Sequence, residues 1–247
     1  MIRMPEAAEV KKTVDYLNSV LKDRLITEWI FYSGKYSEED PDGYIEFCNA
    51  LPLKVDSVNC KGKFIYFTLQ GGWYILHSLM MTGKWQRKYD EQCKWCIETK
   101  EKSDIWFRNP RGLATVKFTN DKKILDKKLS ALGPSIMTDE FSLNIFRDKA
   151  KMFLNRNITS FLMDQSIFSG CGNYIKAEAL YRVKISPLRK VATLSETEQE
   201  LLWNALKNIP LEAYNGKLIR KIYGKKNAFR IRTADGRITH CNLDLQH

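Results

Sequence analysis

At Leu132-Gly133-Pro134 the spacing of apolar residues changes from one typical of strands to one typical of helices. Before this point, between Val55 and Thr119, runs of β-branched and aromatic residues such as Lys63–Gln70 (KFIYFTLQ) predict β-strands. After it, apolar residues recur at helical spacing, which predicts helices over residues 138–151, 157–166, 174–182 and 195–208. Strands followed by helices favour an α+β protein in which a β domain precedes a helical one.

Turn residues divide the β region into strands. Gly71-Gly72 predicts a tight turn, with Trp73–Leu79 as the returning strand. Asp104–Arg108 and Ala114–Thr119 predict two further strands, which flank Asn109-Pro110-Arg111-Gly112. We expect the charged run Asp121–Lys128 (DKKILDKK) to be a surface connection. The β region therefore consists of several strands joined by short connections.

The two ends of the chain carry their own local signals. Residues 5–22 predict an amphipathic helix, because Val10, Val14, Leu17 and Leu21 fall on one stripe. Ser195 followed by Glu198 predicts a capping box at the start of the last helix. Ala234-Asp235-Gly236 predicts the turn of a terminal β-hairpin, whose strands are Phe229–Thr233 and Arg237–Cys241.

The charge of the chain is strongly positive and unevenly distributed. The 247 residues carry 40 lysines and arginines against 29 acidic residues, a net charge of +11. Residues 216–247 alone carry eight lysines and arginines against two aspartates, a net charge of +6. Such a concentration of positive charge favours a surface that binds a polyanion.

Cysteine usage and hydropathy indicate the compartment. No apolar run approaches the ~20 residues of a membrane span, and the N-terminus has no apolar signal core. The six cysteines form no disulfide framework, so we expect an intracellular protein that is not secreted. Cys93 and Cys96 would supply at most half of a zinc site, since a structural zinc needs four ligands and no second pair follows. We therefore expect no metal and no cofactor.

The segment Met4-Pro5-Glu6-Ala7-Ala8-Glu9-Val10 has two interpretations. Pro-Glu before an amphipathic run is ordinary chemistry for the first turn of a helix. If translation begins at Met4 and this methionine is removed, Pro5 becomes an N-terminal secondary amine that can attack an electron-poor carbon. Glu6 then stands beside it as a candidate acid. Retention of residues 1–3 would place Pro5 in an amide and abolish this chemistry.

From residue 4 to residue 241 the chain resembles the formamidopyrimidine-DNA glycosylase / endonuclease VIII family, with the motifs in family order. The resemblance implies that Pro5 attacks the sugar C1′ of a damaged nucleotide while Glu6 protonates the ring oxygen. Cys60-Lys61-Gly62-Lys63-Phe64 resembles the segment entering the catalytic-lysine strand. Lys63 is then the counterpart that holds a lesion phosphate and assists elimination, and Lys61 is the alternative. Taken alone, Lys63 is better explained as a strand-edge lysine that discourages aggregation.

Two further segments resemble the family's elements that enter the DNA. His77 to Gly83 (HSLMMTG) is similar to the family's His…Met-Ser-Gly turn, with one extra residue between the histidine and Met81. The resemblance implies that His77 contacts phosphate and that Met81 fills the space left by the flipped base. Asn109 to Ala114 (NPRGLA) resembles the Asp-Pro-Arg-Arg-Phe-Gly loop, which implies that Arg111 reads the orphaned base and that Leu113 replaces a phenylalanine.

The longest match, Phe161–Tyr181, resembles the family's helix–two-turn–helix. The resemblance implies that its glycines allow the tight turn, that backbone amides bind phosphate, and that Asn173 adds a side-chain donor. The C-terminal hairpin is similar to the zincless finger of some endonuclease VIII-like members, since only Cys241 of the four finger cysteines is present. Arg237 is then the finger arginine that clamps phosphates.

The resemblance implies a fold and a function. The fold is an N-terminal helix with a two-layer antiparallel β-sandwich (residues 1–130), a helix–two-turn–helix domain (131–215) and a zincless-finger hairpin (216–247). The function is a bifunctional DNA glycosylase and AP lyase that binds double-stranded DNA as a monomer. The short segment between Ala213 and Tyr223, where relatives that favour 8-oxoguanine carry a long loop, favours oxidised pyrimidines and ring-opened purines as substrates.

Two other functions remain compatible with the sequence. A non-catalytic damaged-DNA binder on the same scaffold is expected if residues 1–3 are retained. The helix–two-turn–helix also occurs in ribosomal and topoisomerase contexts, which predicts binding of RNA or junctions without strand cutting. This last alternative leaves the matches at Pro5 and Lys63 unexplained.

Overall fold

The computed structural model describes residues 5–102, 104–217 and 219–247, and these belong to two compact units. The first unit contains Pro5 and Glu9–Ala131. The second contains Glu6–Ala8 and Leu132–His247. The terminal segment 216–247, which the sequence predicts as a third domain, lies in the second unit together with the helices.

The first unit is built on an antiparallel sheet, with one helix at each end of its chain and a short third helix after the first strand. Its helices are α1 (Ala7–Leu21, whose first two residues belong to the second unit), α2 (Tyr44–Ala50) and α3 (Lys122–Ser130). Its strands are β1 (Leu25–Phe31), β2 (Leu53–Lys61), β3 (Phe64–Leu69), β4 (Trp73–Ser78), β5 (Lys84–Gln86), β6 (Cys93–Thr99), β7 (Ile105–Arg108) and β8 (Thr115–Thr119). They pair in the order β5-β7-β6-β1-β2-β3-β4-β8.

The sheet folds into two layers around one aromatic core. Strands β1 and β2 pair only at Leu25↔Lys54 and Ile26↔Leu53, so the sheet divides there into two four-stranded halves. The ring of Trp29 on β1 packs edge-on against Phe118 on β8, with ring centroids 5.2 Å apart. Buried aromatic rings from both halves thus form a shared core, and the predicted α+β fold with a two-layer antiparallel sheet is confirmed.

Three elements of the first unit differ from the sequence predictions. The run Asp121–Lys128 is not a loop, since helix α3 starts at Lys122 and the Asp121 carboxylate accepts a hydrogen bond from the Lys123 amide (2.9 Å). Leu125 is buried and gives this helix its apolar face. Strand β1, in the middle of the sheet, and helix α2 precede the region where the spacing of apolar residues predicts strands.

The described residues of the second unit form four α-helices and a hairpin: α4 (Leu143–Met152), α5 (Ile158–Met163), α6 (Asn173–Arg182), α7 (Glu196–Tyr214), β9 (Phe229–Arg232) and β10 (Ile238–Cys241). Helix α4 begins five residues later than predicted because Ser142 caps it, accepting from the Ile145 amide at 3.3 Å. The capping box of Ser195 and Glu198 and the terminal hairpin are confirmed. No helix in the described part of the chain is long and apolar enough to cross a membrane.

Candidate active site

The Glu6 side chain is bound to the first turn of helix α6. Its Oε1 accepts a hydrogen bond from the Tyr174 amide (2.9 Å), and its Oε2 accepts one from the Ile175 amide (3.1 Å). Glu6 is almost completely buried, at 1% exposure. The two amides and the positive end of the helix dipole compensate the burial of its charge. A carboxyl group is therefore fixed one residue after Pro5.

Gly172 is required by this contact. A Cβ on Gly172 would lie 2.1 Å from Cδ of Glu6, so only glycine fits beside the carboxylate. The sequence predicts that the amides after this glycine bind phosphate, but those of Tyr174 and Ile175 bind Glu6 instead. The sequence alone does not distinguish a glycine that makes room for a side chain of the same protein from one that makes room for a bound phosphate.

Pro5 precedes helix α1 and is half-buried. Met4 and residues 1–3 lie outside the described residues, so the prediction that Pro5 is the N-terminal residue stays a prediction. Its role depends on the chemical state of its nitrogen. Its covalent connection to Glu6 keeps an amine at this position close to an anchored carboxyl group.

Lys61 and Lys63 flank Gly62 in the turn between β2 and β3. Gly62 has φ 59°, and a two-residue turn with positive φ only at its first central residue is type II′. The Lys61 ammonium donates to the carbonyl of Leu129 (3.2 Å), in the last turn of helix α3. Lys63 has no hydrogen bond or ion pair among the described residues. Of the two lysines, Lys63 is therefore the one whose charge is available to a ligand.

His77 lies in the core of the first unit, so its predicted phosphate contact is wrong. The indole N–H of Trp85 donates to its Nε2 (3.2 Å), which leaves Nδ1 to donate to the carbonyl of Thr115 (2.9 Å). Burial lowers the pKa of His77 to about 4, although the bond to Thr115 partly offsets the effect. A neutral, fully buried imidazole with both nitrogens occupied cannot bind a phosphate. The extra residue between His77 and Met81 could have indicated this outcome, because a shift of one residue along a strand moves a side chain to the opposite face of the sheet.

Met81 and Arg111 are brought together from two different turns. The distance from Nη1 of Arg111 to Sδ of Met81 is 3.2 Å. The turn of Met81 ends at Gly83, where a Cβ would lie 2.5 Å from the carbonyl oxygen of Leu79. Leu113 follows Arg111 and is exposed. The three predicted DNA-entering side chains thus lie in two turns of the first unit, with Met81 and Arg111 in contact.

Asn173 and Arg237 lie at the helix–hairpin contact within the second unit. The Asn173 amide donates to the carbonyl of Ile238 on β10 (3.0 Å), and its Oδ1 is buried without a partner among the described residues. Arg237 is exposed and follows Gly236 in the hairpin turn. Part of the donor capacity assigned to Asn173 for phosphate is used within the protein.

Two charged residues on helix α6 are buried, and the sequence pattern does not predict their burial. Lys176 is completely buried and forms an ion pair with Asp235 in the hairpin turn, with 2.6 Å between Nζ and Oδ2. The Glu178 carboxylate accepts hydrogen bonds from the amides of Lys221, Ile222 and Tyr223. Charged residues are seldom fully buried, so a helical pattern predicts solvent exposure for both. Among the described residues no cluster of three or more potential ligands could hold a metal ion.

Family profiles match most of the chain. The formamidopyrimidine-DNA glycosylase N-terminal domain matches residues 4–116, and the formamidopyrimidine-DNA glycosylase H2TH domain matches residues 132–222. The formamidopyrimidine-DNA glycosylase of Prochlorococcus marinus is 28% identical over 91% of this chain and 90% of its own length. Endonuclease 8 of an Enterobacter species is 25% identical over 95% of this chain and 90% of its own length.

Solved structures show the same fold. The MutM (Fpg) protein of Thermus thermophilus matches with a TM-score of 0.84 at 22% identity, over 98% of each chain. The Lactococcus lactis formamidopyrimidine-DNA glycosylase, bound non-covalently to DNA that contains an AP site, matches with a TM-score of 0.87 at 20% identity. That match covers 98% of this chain and 100% of the other.

Proposed function

The chain belongs to the formamidopyrimidine-DNA glycosylase family of DNA N-glycosylases with AP lyase activity, and on this premise we propose that it excises oxidised bases through an N-terminal Pro5. Its place is in base excision repair. Its partner is double-stranded DNA that contains an oxidised base or an abasic site, bound by a monomer wherever DNA is found. The reaction uses no metal or cofactor.

In the first step, the Pro5 nitrogen attacks C1′ of the damaged nucleotide, and the base leaves with the electron pair of its glycosidic bond. The attacking secondary amine carries a proton that must leave as the new bond forms. We assign this proton to the Glu6 carboxylate, which passes it to the ring oxygen and opens the sugar. The product is an iminium between Pro5 and C1′.

In the second step, the iminium draws electrons from the neighbouring carbon. Loss of a proton from C2′ breaks the bond to the 3′-phosphate, and a second elimination releases the 5′-phosphate. Lys63 stabilises the departing phosphate, since an ammonium is most useful where negative charge develops. Water then hydrolyses the iminium and frees Pro5.

The remaining site residues hold the DNA in the proposed complex. Met81 and Leu113 fill the space left by the flipped nucleotide, and Arg111 binds the unpaired opposite base. Arg237, together with the amide of Asn173, binds phosphates around the flipped nucleotide. His77 is left out of this set and has a structural role instead.

The observation that carries the proposal is the Glu6 contact. A buried carboxylate bound to two helix amides, beside a glycine whose Cβ would lie only 2.1 Å from Cδ of Glu6, is an exacting arrangement for a residue that only starts a helix. If Pro5 were an ordinary first-turn proline, an apolar side chain at position 6 would be simpler to bury. The contact holds Glu6 beside the nitrogen that we propose as the nucleophile.

Borohydride trapping tests the nucleophile. The protein is produced in two forms, one translated from Met4 and one that keeps residues 1–3, and each N-terminus is determined by intact mass. With an abasic-site duplex and borohydride, we expect the first form to be trapped covalently through Pro5 and the second to bind without trapping. Full lyase activity in the form that keeps residues 1–3 would remove Pro5 from the mechanism.

We propose oxidised pyrimidines and ring-opened purines as the substrate class. The support is the short connection after helix α7, which ends at Tyr214 and leaves few residues before the Tyr223 amide is bound by Glu178. A panel of duplexes, each with one lesion, measures the excision rate under single-turnover conditions. We expect 8-oxoguanine opposite cytosine to be among the poorest substrates, and its ranking as the best would overturn this assignment.

The competing function is a damaged-DNA binder without catalysis. It applies if residues 1–3 are retained in the mature protein, because Pro5 then has no free amine. The trapping experiment separates the two, since a binder gives only complexes that dissociate in salt. An RNA- or junction-binding protein, the third possibility, would bind those ligands better than an abasic duplex.

A further inference from the structure

Helix α6 binds the terminal hairpin segment through three buried polar side chains. Asn173 donates to the carbonyl of Ile238, Lys176 pairs with Asp235, and Glu178 accepts from three consecutive amides that begin at Lys221. The residues of α6 that make these contacts are 8%, 0% and 2% exposed. One helix therefore determines where residues 221–238 lie in the second unit.

The ion pair of Lys176 and Asp235 is the most deeply buried of these contacts. Its side chains are 0% and 4% exposed, whereas the other ion pairs found in the described residues are all more exposed. Burying two charges is costly, so a pair of this kind is weak evidence for a stability role. Its best-attested use is to select one arrangement of the elements that it joins. Here those elements are helix α6 and the hairpin turn.

Arg237 is tied to the same contact. The Thr233 amide donates to the carbonyl of Arg237 (3.0 Å), and the single proton of the Thr233 hydroxyl is shared between that carbonyl (3.1 Å) and the carboxylate of Asp235. Asp235, held by Lys176, is two residues before Arg237. Burial lowers the pKa of Lys176 although the bond to Asp235 opposes this shift, and the charge of Arg237 is the smallest of the effects that lower it. The backbone of Arg237 is thus fixed through Asp235, although the hairpin has only one cysteine, Cys241.

We propose that Lys176 is a positioning residue that, through Asp235, fixes Arg237 for phosphate binding in place of the metal of a zinc finger. The proposal rests on the DNA-binding role of Arg237 given above. It also relates Arg237 to Glu6, because Tyr174 and Ile175, which bind Glu6, lie within one turn of Lys176 on the same rigid helix. The helix therefore sets the position of the hairpin relative to Glu6.

A double-mutant cycle tests this role by its effect on salt dependence. The variants are Lys176→Met, Arg237→Ala and their combination, and the affinity for a duplex with a tetrahydrofuran abasic analogue is measured by anisotropy at several salt concentrations. We expect Lys176→Met to weaken binding by the same factor as Arg237→Ala, roughly tenfold. In each variant the slope of log affinity against log salt falls by about 0.9, the loss of one phosphate contact. The combined variant binds no more weakly than Arg237→Ala.

Three further variants exclude a general loss of folding. Lys176→Arg keeps the charge and is expected to restore most of the affinity. Lys176→Met/Asp235→Asn removes both charges, so that no unpaired buried charge remains. Arg182→Met is the matched control. Arg182 also lies on helix α6, but its ion pair joins it to Glu212 on helix α7 (2.8 Å) and does not involve the hairpin. We expect the pair variant to raise amide exchange in Ile238–Cys241, and Arg182→Met to leave exchange there and the salt slope unchanged.

The outcomes separate this proposal from the proposed function. Additive effects of Lys176→Met and Arg237→Ala, or unchanged exchange in Ile238–Cys241, would overturn the role of Lys176 while leaving the glycosylase intact. Unchanged affinity in Arg237→Ala would remove the phosphate contact itself, and with it both the Arg237 assignment and this proposal. Failure of Pro5 trapping would overturn the nucleophile only, because the affinity cycle requires no catalysis.

Discussion

At the scale of single residues, His77 shows how burial replaces a surface role with a structural one. It accepts from the Trp85 indole and donates to the Thr115 carbonyl, so that both ring nitrogens of this buried histidine have a partner. Its ring also packs edge-on against Phe107, with ring centroids 4.9 Å apart. The histidine therefore stabilises the β-sandwich in its neutral form.

This burial makes the stability of the protein depend on pH. In the unfolded chain His77 takes up a proton as the pH falls below about 6.5, whereas in the folded protein its pKa is about 4. The unfolded state therefore binds more protons between these values, and His77 stabilises the fold fully above pH 6.5 and progressively less down to pH 4. We expect it to account for a loss of about 3 kcal/mol over this range.

The measurement is the free energy of unfolding in urea at pH 7.5 and at pH 4.5. His77→Gln is the control, because its amide can accept and donate without titrating. Other titrating groups are common to both proteins, so the difference between the two pH profiles belongs to His77. Parallel profiles would contradict the prediction.

Gly172 gives a second prediction at this scale. In Gly172→Ala the new methyl group displaces the Glu6 carboxylate, because it would lie 2.1 Å from Cδ and 2.4 Å from Oε1. We expect trapping by borohydride to slow roughly 10²-fold, the usual effect of misplacing a reacting group by about 1 Å. The measurement is single-turnover trapping with thermal unfolding in parallel. A variant that traps at the wild-type rate would show that the position of Glu6 is unimportant for the reaction.

At the scale of elements, the hairpin of β2 and β3 separates the roles of two lysines. Lys61 binds the carbonyl of Leu129 in helix α3, and a cation at a helix C-terminus stabilises it. Lys61→Met should therefore lower the free energy of unfolding by about 0.5–1 kcal/mol and leave strand cleavage unchanged. Lys63→Met should do the opposite, with cleavage of an abasic duplex reduced roughly 10²-fold at unchanged stability.

Both variants are measured by urea unfolding and by single-turnover cleavage, and each serves as the control for the other. If cleavage is lost in Lys61→Met and kept in Lys63→Met, the assignment of the elimination lysine passes to Lys61. Loss of stability in both would indicate that the turn itself has been disrupted.

At the scale of the whole molecule, a net charge of +11 determines how the protein meets DNA. Binding to a duplex releases counterions, so the affinity falls as salt rises. With about four phosphate contacts, we expect a loss of roughly 10²-fold between 50 and 200 mM salt, and a chelator at constant ionic strength should change nothing. Fluorescence anisotropy with an abasic duplex measures both. A salt-independent affinity would contradict a phosphate-binding surface.

The local pattern predicts much of this architecture. The terminal hairpin, the capping box of Ser195 and four strands of the first unit (β3, β4, β7 and β8) lie where turn residues, caps and the spacing of apolar residues place them. Helix α3 shows the limit of prediction from local pattern. Its sequence is dominated by charged residues, and its apolar face is recognised only from the burial of Leu125 in the folded protein. Strand β1 shows another, since its place in the middle of the sheet depends on partners distant in sequence.

The sequence by itself determines the order of secondary structure, the sign of the surface charge and the family, because these depend on residue type and on neighbours a few positions apart. The tertiary structure decides which of the candidate side chains are buried or bound within the protein and which are available to a ligand. It places Glu6 against Tyr174, 168 residues away, binds Lys61 to Leu129 over 68 residues, and pairs Lys176 with Asp235 over 59. Burial and hydrogen bonding change the charge and availability of a side chain, and both arise only when such distant segments meet.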